Sequence, residues 1–117
     1  MSEPVIDLMH ANLHRVFDER DDAARRSAID ATYSVDVSFT DPEGTVVGVE
    51  ALDAKARALL ERFPGFHFSE AGPMRESGSL GYAPWNFGPA DGDPVVRGVD
   101  IALIRDSRIT ELHTFVF

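Results

Sequence analysis

Apolar residues recur at helical spacing at the start of the chain: Ile6, Met9, Leu13 and Phe17, with Val16 beside them. The spacing predicts an amphipathic helix over residues 3–19, with Ser2 as its cap and Pro4 in its first turn. "ERDD" interrupts the pattern, and Asp22 can cap a second, shorter helix running to about Thr32. The pattern then changes period. In "YSVDVSFTD" Val35, Val37, Phe39 and Asp41 alternate, so they share one face of a strand. "DPEG" stops that strand, because proline lacks the ladder donor and glycine suits the turn. "VEALDAKARALLERFPG" follows Gly48 as the clearest helix: Leu52, Ala56, Leu59, Leu60 and Phe63 form its stripe, and Asp53–Arg57 is an i,i+4 pair. Its Glu50, Asp53 and Glu61 read as a solvated face, and Pro64-Gly65 ends it.

The remainder alternates as strands: "FHFSEAG", "SLGYAPWNF", "PVVRGVDIALIRD" and "RITELHTFVF", joined by "PMRESG", "GPADGD" and the tight "RDSR". Three helices in the N-terminal half and a meander of strands predict a single α+β domain over residues 1–117. The sheet is expected to be antiparallel and curved into a cone around the helices, enclosing a pocket for a small molecule.

Composition narrows the functions. Twenty acidic against eleven basic residues give a formal net charge of −9, which repels phosphate backbones and anionic membranes. Nucleic acid and membrane are therefore not expected partners. There is no cysteine, so disulfides and thiolate metal sites are excluded. Without a signal-peptide pattern at "MSEPVIDLMHANLH" or an apolar run of about 20 residues, the expected location is the cytoplasm. No phosphate-cradling loop and no Gly-x-Ser-x-Gly elbow occurs.

The element order, "DPEG" after the first strand and the terminal "GVDIALIRDSRITELHTF" resemble the superfamily of nuclear transport factor two-like folds. That superfamily includes SnoaL-like polyketide cyclases, ketosteroid isomerase, scytalone dehydratase and limonene-epoxide hydrolase. The resemblance spans the whole chain and is stronger for fold than for activity, since the superfamily also holds non-catalytic factors. At the residue level it is closest to ketosteroid isomerase. "TDPEG" places Asp41 where that family has its proton-shuttling base, and "VVRGVDIA" places Asp100 where it has a protonated aspartate facing the substrate oxygen. The family's tyrosine on the first helix is missing. An alignment without gaps from Asp41 puts Phe17 there, and one from Asp22 puts His14 there; only histidine could donate a hydrogen bond. An Asp-Arg-Asp arrangement like that of limonene-epoxide hydrolase would use Arg97, and needs a bulge at Gly98 to turn it inward.

The resemblance thus implies Asp41, Asp100 and His14 as catalytic residues. Phe17, Phe39, Ala83, Trp85, Phe87, Leu112, Thr114 and Val116 would face the ligand. The implied chemistry is that of an isomerase, cyclase or lyase acting without cofactor or metal on a hydrophobic carbonyl compound. A base accepts the proton and a neutral carboxyl donates to the developing oxyanion. The alternative is a non-catalytic ligand-binding or assembly module. In it Asp41 only opens a turn and Asp100 is paired structurally. His10 and His14, at i, i+4, suit a metal pair in principle, but Ala11, Asn12 and Leu13 lie between them where a metalloprotease has a glutamate, so they read as ordinary helix histidines. Apolar Val99, Ile101, Leu103, Ile109 and Phe115 on the outer strand face, together with the resemblance, suggest a homodimer, with His113 near its contact. Tyr33, Phe66 and Phe68 read as core.

Overall fold

The structure, a computed structural model, describes residues 5–117. The expected cap Ser2 and Pro4 lie outside the described residues. Helix α1 (Val5–His10) runs directly into a π-helical segment, Ala11–Phe17, which closes with the Asp18 amide on the Leu13 carbonyl at 3.0 Å. The wider turn lets Asn12, Leu13, Val16 and Phe17 all bury together. Helix α2 (Asp22–Thr32) is capped by Asp21 rather than Asp22, through a 2.8 Å bond from the Ala24 amide. Helix α3 spans Val49–Arg62. Asp53 on α3 is not solvated and does not pair with Arg57. It accepts from the fully buried Arg25 at 2.7 Å, and Arg25 also binds Asp22, so an ion pair joins α2 to α3.

Seven strands form one open curved sheet: β1 (Tyr33–Asp41), β2 (Gly44–Val47), β3 (Phe66–Glu70), β4 (Arg75–Ser77), β5 (Leu80–Pro89), β6 (Val96–Arg105) and β7 (Arg108–Val116). Their order is β2-β1-β7-β6-β5-β3, with β4 beside β5. Two short strands arise where connectors were expected. β2 forms because "DPEG" closes a hairpin, with Asp41 opposite Gly44, and β4 comes from "PMRESG". The β1–β7 pair is parallel, so the sheet is mixed rather than purely antiparallel. Parallel pairing requires a crossover, and the long excursion through α3 and the β3–β6 meander supplies it.

Two register irregularities decide which residues face inward. Between Tyr33 and Ser38, β1 advances five residues while β7 advances two, from Ile109 to Glu111. That irregularity leaves Val35 exposed at 78%, although Val37 and Phe39 are buried as expected. On β7, the partner of Leu103 is Glu111 but that of Ile104 is Ile109, a slip of one residue. A one-residue slip exchanges the two faces, so Ile109 enters the core instead of the outer surface. Elsewhere the expected alternation holds. Ala83, Trp85 and Phe87 on β5 and Leu112 on β7 face the helices with Asp100 and Ala102 of β6. Gly81, on the same face, leaves the room that Met9 of α1 occupies.

Candidate active site

A cavity of about 330 Å³ opens between the helices and the concave sheet. Its walls are mainly aromatic: Phe17 from the π-helical segment, Phe39 from β1, Phe63 just past the end of α3, Phe68 from β3, and Trp85 and Phe87 from β5. Phe17 packs on Phe39 with ring centroids 5.5 Å apart, and Phe68 meets Trp85 edge-on at 5.4 Å. Asp41 and Asp100 both line this one cavity, together with Lys55, Thr114 and Val116.

Asp100 sits on the central strand, where alternation turns it inward and burial leaves it 4% exposed. Three donors converge on its carboxyl. Asn12 Nδ2 donates to Oδ2 at 2.7 Å, and Trp85 Nε1 and Thr114 Oγ1 donate to Oδ1 at 3.0 and 2.7 Å. Tyr33 in turn donates its hydroxyl to Asn12 Oδ1. Burial raises the Asp100 pKa above the usual carboxylate range, while its three donors pull it back part of the way. Burial and the proximity of Asp100 also raise the phenol pKa of Tyr33, keeping it a neutral donor. Among the described residues every buried side-chain polar atom has a partner.

Asp41 ends β1 at the start of the hairpin, so the local sequence makes it a turn residue and the sheet aims it at the cavity. Its Oδ1 accepts the Glu43 amide at 2.9 Å, as aspartate does when it opens a turn. Its Oδ2 accepts from Lys55 Nζ at 3.1 Å, and the same ammonium reaches Glu43 Oε1 at 2.7 Å. Lys55 therefore has a second carboxylate to hold whenever Asp41 is engaged elsewhere.

The expected residues divide accordingly. Asp41, Asp100, Phe17, Phe39, Trp85, Phe87, Thr114 and Val116 line the cavity; Ala83 and Leu112 face the same side but pack in the core beneath it. His14 does not reach the cavity. Its Nε2 meets Glu70 Oε2 at 2.8 Å on the outer surface, because the helix turns Asn12 inward and carries His14, two residues on, away from the sheet. Phe17 lines the cavity but has no donor, so the helix contributes its polar group through Asn12 instead. Arg97 is exposed and the β5–β6 register through Gly98 is regular, so the Asp-Arg-Asp arrangement is not formed. Asn12, Tyr33 and Lys55 are the polar residues that sequence reasoning did not place at the site. Asn12 carried a signal: Leu8, Asn12 and Val16 fall at successive i+4 positions, an amide within the buried stripe. Lys55 carried none, since only the tertiary fold brings α3 beside the hairpin.

Gly98 has a different task from the expected bulge. A Cβ there would stand 2.3 Å from Trp85 Cζ2 and 2.4 Å from the Phe115 carbonyl oxygen, so the indole lies directly across this glycine. Gly98→Ala is expected to destabilise the protein by about 1–3 kcal/mol through overpacking. It should also shift the emission of Trp85, the only tryptophan, as its N–H leaves Asp100. Urea unfolding and fluorescence spectra check both effects; an unchanged spectrum would mean that the indole does not rest on Gly98.

A family model described as the SnoaL-like domain matches residues 9–112. The chain belongs to the SnoaL-like family. A comparison with curated proteins gives no match. Among solved structures, a protein of Agrobacterium tumefaciens provisionally assigned as an isomerase of the SnoaL-like family superposes with a TM-score of 0.89 at 23% identity, covering 99% of each chain. A Jannaschia sp. CCS1 protein provisionally assigned as a SnoaL-like polyketide cyclase gives 0.75 at 19% identity, covering 99% of this chain and 89% of the other. A protein from Kribbella flavida provisionally assigned as a ketosteroid isomerase gives 0.71 at 14% identity, covering 99% and 79%. At such identities the likeness shows the fold alone. Among the described residues no helix is long and apolar enough to cross a membrane.

Proposed function

We propose that the protein is an acid–base isomerase, cyclase or lyase acting in the cytoplasm on a small hydrophobic carbonyl compound. The observation that carries this reading is that Asp41 and Asp100 line one aromatic-walled cavity, one at its partly exposed mouth and one buried. A volume of about 330 Å³ lies at the lower end of the roughly 300–1,000 Å³ typical of ligand pockets, which favours mono- or bicyclic substrates.

In the isomerisation of a β,γ-unsaturated ketone, Asp41 takes the proton from the carbon next to the carbonyl and returns it to the γ carbon. The double bond moves into conjugation and no net proton is consumed. Lys55 lets go of Asp41 Oδ2 during the transfer and keeps its bond to Glu43. Asp100, neutral at Oδ2, donates to the enolate oxygen, and Asn12, Trp85 and Thr114 hold its carboxyl in place. The relatives provisionally assigned as isomerases and as a polyketide cyclase support this class of chemistry. The experiment is a thermal-shift screen of cyclic enones, terpenoids and aromatic polyketides, followed by an absorbance assay for conjugated product on whatever binds. Product formation that depends on Asp41 supports the reading.

One observation favours a second reading: both carboxylates are fully partnered, Asp100 by three donors and Asp41 by the Glu43 amide and Lys55. In a ligand-binding module these bonds would be structural. Binding without turnover, unaffected by Asp41→Asn, decides for it.

The proposal includes a homodimer. Leu80, Tyr82 and Phe115 are 47%, 42% and 57% exposed on the outer sheet face, beside the partly buried Ile101 and Leu103. A second copy would cover that face. Sedimentation equilibrium should give twice the chain mass, and Tyr82→Glu should give the monomer; a wild-type monomer at micromolar concentration sinks this part of the proposal.

A further inference from the structure

The helix surface that points away from the cavity carries a second constellation. His10 and His14 stand one helical step apart with their rings stacked at 5.9 Å. Both direct a nitrogen at the same atom of β3: Glu70 Oε2 lies 2.8 Å from His14 Nε2 and 3.5 Å from His10 Nδ1. All three donor atoms fall within 4.8 Å of one another. The three side chains are partly exposed, at 45%, 39% and 39%, so an ion and its waters can reach them. Among the described residues no lysine or arginine pairs with Glu70, which leaves its carboxylate without a permanent cation. The overall charge of −9 favours cations at this surface.

We propose that His10, His14 and Glu70 form a binding site for a first-row divalent ion of the zinc type, with water completing the shell. Imidazole and carboxylate are the ligands such ions prefer. Ligand distances of about 2.0–2.2 Å in tetrahedral geometry put neighbouring donor atoms about 3.3–3.5 Å apart. The two histidine-to-Glu70 separations, 2.8 and 3.5 Å, already bracket that spacing. Small rotations of these exposed side chains would bring the three donor atoms, already within 4.8 Å of one another, to that spacing. The ion would brace the π-helical segment, which carries Leu13 and Phe17, against β3, which carries Phe68. It would thereby stiffen one wall of the cavity.

Calorimetric titration of the untagged chain with zinc chloride at pH 7.5 should show one ion per chain with micromolar or tighter affinity. His14→Ala and Glu70→Gln should each weaken it about 10-fold or more, since loss of even an outer partner of a metal ligand costs about 10–100-fold. His113→Ala, a control at the other surface histidine–glutamate pair, should leave the affinity unchanged. Zinc should also raise the wild-type melting temperature and not that of His14→Ala. Amide NMR shifts of the wild type on adding zinc give a reading that needs no variant, and they should centre on residues 10–14 and 69–71. Absence of saturable binding, equal affinity in the variants, or shifts centred elsewhere overturns the site.

Discussion

Replacing Asp41 with asparagine should lower turnover of a β,γ-unsaturated ketone by about 10²–10⁴-fold, the usual contribution of a general base. The fold should survive almost unchanged. Asparagine keeps the side-chain oxygen that accepts the Glu43 amide, so the turn persists, and Lys55 keeps its bond to Glu43. Only the part-buried ion pair at the mouth is lost, and with Lys55 still held by Glu43 this costs about 1 kcal/mol. Initial rates and thermal melts on the same preparations check the two halves together. A fall in activity matched by a large fall in melting temperature would show that Asp41 serves the hairpin and not the chemistry. Unchanged turnover would remove the proposed base outright.

Asp100 should respond differently, because its carboxyl is buried and holds three donors. Asp100→Ala strands Asn12, Trp85 and Thr114 without an acceptor, and each buried unmet donor costs about 1–3 kcal/mol, so a loss of about 3 kcal/mol or more is expected. Its activity should also fall about 10²–10³-fold with the oxyanion donor gone. Asp100→Asn should be milder on both counts. The amide of Asn12 can turn over to accept from the new side chain while donating to Tyr33, and the new amide can still donate to an enolate.

The asparagine variant also carries a test of sign. The Asp100 pKa is raised by folding, so its protonated form favours the native state. The stability it contributes is complete below the ordinary value of 3.8 and is lost as pH rises through the higher native value. Asp100→Asn has no such loss. Its melting temperature relative to wild type should therefore rise between pH 4 and pH 7. A difference that is flat or falls with pH would mean that folding does not raise the Asp100 pKa, and the neutral donor role would fail.

Much of this was legible in the chain. Period 3.6 marked the first helix and α3, a capping aspartate marked α2, and period 2 marked β5, β6 and β7, while the resemblance implied which of their faces turns inward. The turn chemistry of "DPEG" located the end of β1 and, with it, Asp41. Alternation put Asp100 on one strand face with Gly98 and Ala102, and the resemblance implied that this face turns inward. The elements, their turns and the residues that share a face are local properties, and each residue's neighbours in sequence suffice to decide them.

What tertiary structure decided were the places where chain segments far apart meet. The parallel β1–β7 pairing, with the irregularity that sends Val35 out, depends on strands about 75 residues apart, and the slip that sends Ile109 in appears only in the pairing of β7 with β6. The π-helical turn that aims Asn12 rather than His14 at Asp100 arises where the first helix must bury four neighbours against the sheet at once. Lys55 reaches Asp41 because α3 lies across the hairpin, and Arg25 is buried because Asp53 waits on the facing helix. Periodicity shows which side of an element is buried. Only packing shows which group waits on the other side, and Asn12 beside Asp100 and Lys55 beside Asp41 were of that second kind.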